Sequence, residues 1–298
     1  MRFVILASPE SWYARDLERA AAGQHEIVTL PFSEIAASIG ARKGNQRPPL
    51  TVSAAGIDLG AFDAVLVRTM PPGSLEQVVF RMDCLARLEA AGCLVINPAK
   101  AIEAAVDKFL TSARLAAAGL PTPQTIACQT VDEALTAFAS LGGDVVLKPL
   151  FGSEGRGITR LNDEALAQRA FKMLTQLGAV LYLQQFIAHE GYDLRLFVVG
   201  QQILAMRRRN PDDWRTNISR GAIAEGFRPD AALIAMARLA AETVGAPLAG
   251  VDILPGKDGQ RYVIEVNAVP GWKALNLATG SDIAQLVLEF AVAEASRR

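Results

Sequence analysis

Residues 250–271 read GVDILPGKDGQRYVIEVNAVPG, and the turn at their centre governs how the rest of the chain is understood. Asp258-Gly259 favours a two-residue type I′ turn. The runs on either side, Val251–Leu254 and Tyr262–Val266, are apolar and β-branched, the composition of strands. A turn centred on Asp258-Gly259 pairs Lys257 with Gln260, and that register carries back until Asp252 faces Glu265. Alternation then puts Asn267 on the face of Glu265, with Ile264 and Val266 on the other. Two opposed carboxylates repel, and a bound divalent cation turns the repulsion into attraction. Three hard oxygen ligands without a nearby His or Cys match magnesium, which leaves its other positions to water and phosphate. The competing reading is a solvated hairpin carrying ordinary surface acids. On the metal reading, removing either carboxylate leaves the apo protein as stable as before, or more so.

Composition narrows the classes. A chain of 298 residues, 51% apolar and 20% charged, can bury a large core and divide into two or three lobes. The net charge of −1 argues against a general binder of nucleic acid or of membrane surfaces. Three cysteines without a CxxC spacing read as reduced core thiols, and the N-terminus enters a strand without a signal-peptide pattern. Both point to the cytoplasm. No apolar run reaches membrane-spanning length. With only His25 and His189 present, a His-built zinc site or a Ser-His-Asp triad has almost nothing to draw on.

Residues 1–98 alternate strand and helix signals: strands at Phe3–Ala7, Ile27–Leu30, Ala64–Val67 and Leu94–Ile96, helices at Asp16–Ala22 and Glu76–Ala91. That is a small βαβ domain with a mostly parallel sheet. Residues 40–53, basic and polar with prolines, read as a surface loop. One helix is expected over Ala99–Ala118, stopped by Gly119 and Pro121. The pattern then becomes α+β, with a central lobe over residues 99–187 and a C-terminal lobe over 188–298. Further helices are expected at Val131–Ser140, Asp163–Leu177, Ala231–Val244 and Ser281–Ala295.

Three further stretches bear chemistry. The strand Val145–Pro149 carries Lys148 into a loop with Gly152, Ser153, Gly155 and Gly157. An ammonium at a strand end, followed by free backbone N–H groups, can hold a polyphosphate. The loop is neither GxxxxGK[ST] nor GxGxxG, and a plain hairpin is an equal reading. Leu181–Ile187 is an apolar strand that can offer its backbone to an adenine edge, or simply serve the core. Arg195, Arg207, Arg208, Arg215 and Arg220 cluster among apolar residues and Asp212-Asp213, which suits a small anionic substrate better than nucleic acid.

In chain order these signals are Lys108, Lys148, the glycine-rich loop, Gln184-Gln185-Phe186-Ile187, Asp193-Leu194-Arg195, Arg215-Thr216-Asn217, and Asp252 followed by Glu265-Val266-Asn267. Over residues 99–271 this order resembles the ATP-grasp fold, two lobes clasping ATP behind an N-terminal α/β domain. YDLRLFVVG, AMRRR, WRTNISRGA, AGVDIL and VIEVNAVPGW make the chain similar to the RimK-like α-L-glutamate ligases.

The resemblance implies that Lys108 and Lys148 contact ATP phosphates and that Gly152, Ser153, Gly155 and Gly157 close over them. It implies adenine on the backbone of Gln184, Gln185, Phe186 and Ile187, and Asp193 near the sugar. Arg215, Asn217 and Arg220 would serve the acyl-phosphate step, and Arg195, Arg207 and Arg208 the substrate carboxylates. Asp252, Glu265 and Asn267 would hold two Mg2+ or Mn2+ ions. The family often has Gln-Glu where this chain has Gln184-Gln185, which leaves nucleotide preference open. The activity implied is ATP-dependent joining of L-glutamate to an acceptor carboxylate through an acyl phosphate. VRTMPPGSLEQ (67–77) and GWKALN (271–276) are similar to a subgroup acting on tetrahydromethanopterin-type pterins. A ribosomal-protein tail and a small amino-acid acceptor are the alternatives. Outside the ligases stand an ATP-binding regulatory protein and a small-molecule kinase. Self-association is left open.

Overall fold

The computed structural model describes residues 1–40, 50–152 and 155–298. Phe3–Leu6 is apolar at every position, as a strand covered on both faces must be. It becomes β1 (Arg2–Leu6), central in a parallel sheet ordered β2-β1-β6-β7. The chain runs through α1 (Trp12–Ala21), β2 (Glu26–Leu30), β3 (Ile35–Ile39), β4 (Leu50–Ala54), β5 (Ile57–Asp58), β6 (Ala64–Val67), α2 (Leu75–Ala90) and β7 (Leu94–Ile96). With β2 on one side of β1 and β6 on the other, the winding reverses there. A crevice is left at the carboxyl ends of β1 and β6.

The loop expected over residues 40–53 is corrected in part: β4 pairs with β3 and β5 in a separate antiparallel sheet. Val52 and Ala54 alternate into the core, a period-2 signal that the neighbouring prolines obscured. Residues 41–49 lie outside the described residues. The single helix expected over Ala99–Ala118 is two, α3 (Ala99–Val106) and α4 (Lys108–Ala117). Asp107, extended at φ −91 and ψ 104, separates them and caps α4 by accepting from the Leu110 N–H at 2.9 Å. Lys108 is therefore the first residue of a helix.

The central lobe contains β8 (Thr125–Cys128), α5 (Val131–Ser140), β9 (Val145–Lys148), β10 (Thr159–Leu161), α6 (Glu164–Gln176) and β11 (Leu181–Gln185), with sheet order β10-β9-β11-β8. The C-terminal lobe contains β12 (Tyr192–Val199), β13 (Gln202–Arg209), β14 (Ile223–Gly226), α7 (Ala231–Val244), β15 (Leu248–Pro255), β16 (Arg261–Asn267), α8 (Lys273–Thr279) and α9 (Ile283–Ala295). Its sheet is ordered β14-β13-β12-β15-β16. The short α8 was not expected from the sequence.

Both faces of the first sheet pack onto the C-terminal lobe. One core joins Val4, Val65 and Leu85 to Leu196, Val251 and Val266, and takes in Ile102 and Leu115 of α3 and α4. The other joins Phe3, Ile5 and Leu66 to Phe197, Trp272, Val287 and Leu288. The central sheet has a core of its own around Phe138, Leu147, Phe171 and Leu183. The two ends of the chain thus form one body and residues 125–185 another. Phe171→Ala, expected to cost about 3–5 kcal/mol, should raise hydrogen exchange in β8–β11 and leave β1 and β12 protected. Leu288→Ala, at about 2–5 kcal/mol, should loosen β1 and β12 together. Uniform loss of protection in both variants would contradict the division into two bodies.

Candidate active site

The hairpin that opened the sequence reading closes differently from the expected turn. Gly256 and Gln260 bound a three-residue loop, with the Gly256 N–H donating to the Gln260 carbonyl at 2.8 Å and Gly259 left-handed at φ 82. That is the three-residue hairpin with a glycine bulge, so the two-residue turn is corrected. Its register pairs Pro255 with Arg261 and Ile253 with Val263, one residue out of step with the expected pairing. A second bulge, with Ile264 as the extra residue, restores the step and sets Asp252 opposite Glu265. The bulge also turns Ile264 to the cavity beside Glu265, while Val263 and Val266 enter the core. The expected placement of Ile264 on the face opposite Glu265 is thereby corrected.

Asp252 is not left to repel Glu265. On β12, Asp193 and Arg195 share a face, and each meets its opposite charge directly across the ladder: Arg208 on β13 and Asp252 on β15. Arg208 grips Asp193 with Nε at 2.7 Å and reaches Asp252 with Nη2 at 3.0 Å. Arg195 holds Asp252 through Nε, and through Nη2 at 2.9 Å. Burial pushes the Asp252 carboxyl up, but the two guanidinium groups outweigh it and hold it below its ordinary value. Glu265 lacks that clamp, and burial and Asp252 together push its carboxyl up.

The facing wall comes from the central lobe. Lys148 pairs with Tyr182 and Val146 with Gln184 across β9 and β11, so these four share the cleft face while Leu147 and Leu183 enter the lobe's core. Lys148 Nζ donates to the Gln184 side-chain oxygen at 2.6 Å, and burial pulls the ammonium down to about 8. Lys108 Nζ donates to the Gly152 carbonyl at 2.7 Å, and burial lowers its pKa too. The described glycine-rich loop lies against the Trp214–Asn217 segment: a Cβ on Gly155 would come within 2.4 Å of Asn217 Oδ1. Arg215 forks onto Asp213 and reaches the Ile158 carbonyl at 3.5 Å. Ser153 lies outside the described residues.

The structure therefore gathers Lys108, Lys148, Gln184, Gln185, Phe186, Ile187, Asp193, Arg208, Arg215, Asn217, Asp252 and Glu265 around one cleft. Asn267 sits opposite Gly250 at the end of β16, two residues beyond Glu265, and is not among the described residues that line the cleft. The Gln185 and Phe186 amides already donate to Gln124 and Asp144 carbonyls, so part of the expected adenine edge is engaged within the lobe. Arg207 is not brought in. It has the opposite strand parity from Arg208 and pairs with Glu225 on β14. Arg220 is exposed in the turn after Asn217, and Arg195 stands behind Asp252. Trp214, Tyr182, Leu254 and Ile264 also line the cleft. For Tyr182, alternation with Lys148 and Gln184 was the available signal.

The donor set suits a phosphate-borne divalent cation. Two carboxylates and one amide oxygen make a hard, incomplete shell that needs substrate oxygens to finish it. Among the described residues no three His, Cys, Asp or Glu side chains gather as a self-sufficient cage. The cleft is open to solvent and holds about 100 Å³ of accessible space.

Two lobes with separate cores, Lys148 on one and Asp252 and Glu265 on the other, define the ATP-grasp class. A family model of the RimK-like ATP-grasp domain matches residues 105–291. The tetrahydromethanopterin:alpha-L-glutamate ligase of Methanosarcina acetivorans is 34% identical, over 96% of this chain and 97% of that protein. The ligase of the same name from Methanococcus maripaludis is 36% identical over 74% and 76%. The solved ATP-grasp ligase PsnB, complexed with minimal precursor, Mg and ADP, superposes with a TM-score of 0.75 at 22% identity, over 98% and 97%. The chain belongs to the RimK-like family of ATP-grasp carboxylate–amine ligases.

The clamp on Asp252 reverses half of the stability expectation. Asp252→Asn weakens the anchor of buried Arg208 and part-buried Arg195 and should lower apo stability by roughly 3–5 kcal/mol. Glu265→Gln removes an unclamped, part-buried acid and should leave apo Tm unchanged or raised. Thermal unfolding without nucleotide separates them, and equal shifts would contradict the asymmetry.

Lys148 gives a pH signature. Its folded value of about 8 lies below the ordinary 10.5, so a stability penalty is fully present below pH 8 and vanishes as pH rises to the unfolded value. ATP needs the ammonium charged, so affinity should fall as pH climbs past 8, with proton uptake on binding. Lys148→Arg should flatten that fall, because guanidinium stays charged. Titration calorimetry in buffers of different ionisation heat reads both.

Proposed function

We propose that this chain joins L-glutamate to an acceptor carboxylate at the expense of ATP, the acceptor being a tetrahydromethanopterin-type pterin. The carrying observation is the confrontation across one cleft of buried Lys148 with Asp252 and Glu265, in a chain alike over almost its whole length to a ligase of that name. Lys108 and Lys148 take the phosphates from above, and Arg215 and Asn217 meet them from the C-terminal lobe. Val146, Leu254 and Ile264 supply apolar walls for the base. Asp252, Glu265 and Asn267 hold two Mg2+ or Mn2+ ions, which when bound neutralise charge on the transferring phosphoryl group.

The acceptor carboxylate attacks the γ-phosphate to give an acyl phosphate and ADP. The glutamate amine then attacks the acyl carbon and expels phosphate. Arg215, at the seam with the glycine-rich loop, is placed to stabilise the developing oxyanion. Closure of the loop on Asn217 shields the acyl phosphate from water. A peptide acceptor is the second reading, favoured by the structural likeness to a ligase complexed with a precursor.

ADP release should require acceptor and amino acid together, with glutamate far ahead of aspartate, glutamine and alanine. Release with a peptide but not with the pterin moves the reading to the second acceptor. Release without any amino acid makes the protein a kinase.

A further inference from the structure

The cleft's arginines are committed to the chain's own acids: Arg195 and Arg208 to Asp252 and Asp193, Arg215 to Asp213, and Arg207, outside the cleft, to Glu225. A surplus of forks for substrate carboxylates is therefore not found where the sequence placed it. A guanidinium with unmet donors stands elsewhere, in the N-terminal lobe. Arg68 immediately follows β6 and is 5% exposed. Its Nη2 donates to the Pro270 carbonyl at 2.6 Å, while Nε and Nη1 are buried with no partner among the described residues.

Its position is equally specific. Arg68 lies at the winding reversal between β1 and β6, where open α/β sheets bind ligands. The guanidinium carbon is 5.3 Å from the ring of Tyr13, in the first turn of α1, and 4.3 Å from the ring of Trp272. That first turn carries no acid, and a positive helix end favours an anion. The segment covering the crevice, Pro270-Gly271-Trp272, begins three residues after Asn267. It is pressed flat: a Cβ on Gly271 would come within 2.4 Å of Tyr13 Oη.

A tie to Pro270 needs one donor and no charge. A buried cation without a carboxylate opposite costs stability, and burial already pulls Arg68 down to about 10. A ligand that brings the missing anion removes that cost. We propose that the β1–β6 crevice is a subsite for a carboxylate of one of the two organic substrates, held by the Arg68 guanidinium once the Pro270 carbonyl moves off it, with Trp272 staying in the core. The inference rests on the carboxylate–amine ligase reading and adds a binding position in the N-terminal lobe.

Arg68→Lys keeps the charge and loses the fork. Its KM should rise about tenfold or more for one carboxylate substrate, with ATP KM within about twofold. A rise for glutamate assigns the subsite to the donor, and a rise for the pterin assigns it to the acceptor. The stabilisation which that substrate gives wild type in thermal unfolding should be absent in the variant. Gly271→Ala, which displaces the segment or Tyr13, eases the movement of the Pro270 carbonyl: it should lower KM for the same substrate alone, and it serves if Arg68→Lys does not fold. Unchanged KM for both carboxylate substrates, or a rise shared equally with ATP, overturns the proposal. If wild type shows no glutamate-dependent ADP release, the ligase reading fails on its own. The subsite is then decided by glutarate and glutamate as probes: it stands if they raise wild-type Tm but not that of Arg68→Lys, and falls if they do not raise wild-type Tm.

Discussion

The active site depends on Arg208. This buried guanidinium lies between Asp193 on its neighbouring strand and Asp252 on the strand beyond. Neither acid could stay ionised in the sheet alone, and the guanidinium, which keeps its charge, would be a costly unpaired cation without them. Arg195 completes the set from the other side of Asp252. The alternation of charges fixes how three strands stack in register, and it presents ionised oxygens to the cleft before any ligand arrives. Such preorganisation is what a phosphoryl-transfer site requires, because most of its catalysis is positioning and charge neutralisation.

Glu265 plays the opposite part. Its carboxyl is raised where that of Asp252 is lowered, although the two residues face each other on one hairpin. One acid is stabilised by the fold and the other awaits a partner from outside it. Lys148 of the opposite lobe contributes from a distance and is itself held low by burial. The cleft thus holds an under-neutralised acid on one wall and a reluctant cation on the other, and a metal-bound triphosphate would satisfy both.

Much of this was legible in the residues. The order of lysines, glycines and acids pointed to the lobes and the cleft, and the facing of Asp252 with Glu265 came out as expected. It did so through two errors that cancel: the turn holds one residue more than Asp258-Gly259 predicts, and the bulge at Ile264 takes up the difference. Nothing in an apolar run marks which residue will bulge. Strand alternation, applied to Arg207 and Arg208, would have sent only one of them to the cleft, and the expected cluster ignored it. The break at Asp107 was visible as a capping residue inside a helical pattern. Arg68 was not legible, because what sets it apart is the lack of an acid nearby in space, and sequence spacing does not report that.

The two shared cores also bear on how the polypeptide is made. The central sheet can close as soon as β11 has left the ribosome, since its core is drawn from contiguous sequence. The first sheet cannot. Phe3, Ile5 and Leu66 are covered by Trp272, Val287 and Leu288, which are synthesised long after them. At about 5–20 residues per second, translation reaches α9 roughly 10–40 s after β7. For that interval an apolar face of the nascent N-terminal domain stays open. A sheet whose cover arrives from so far along the sequence is prone to aggregate while it waits.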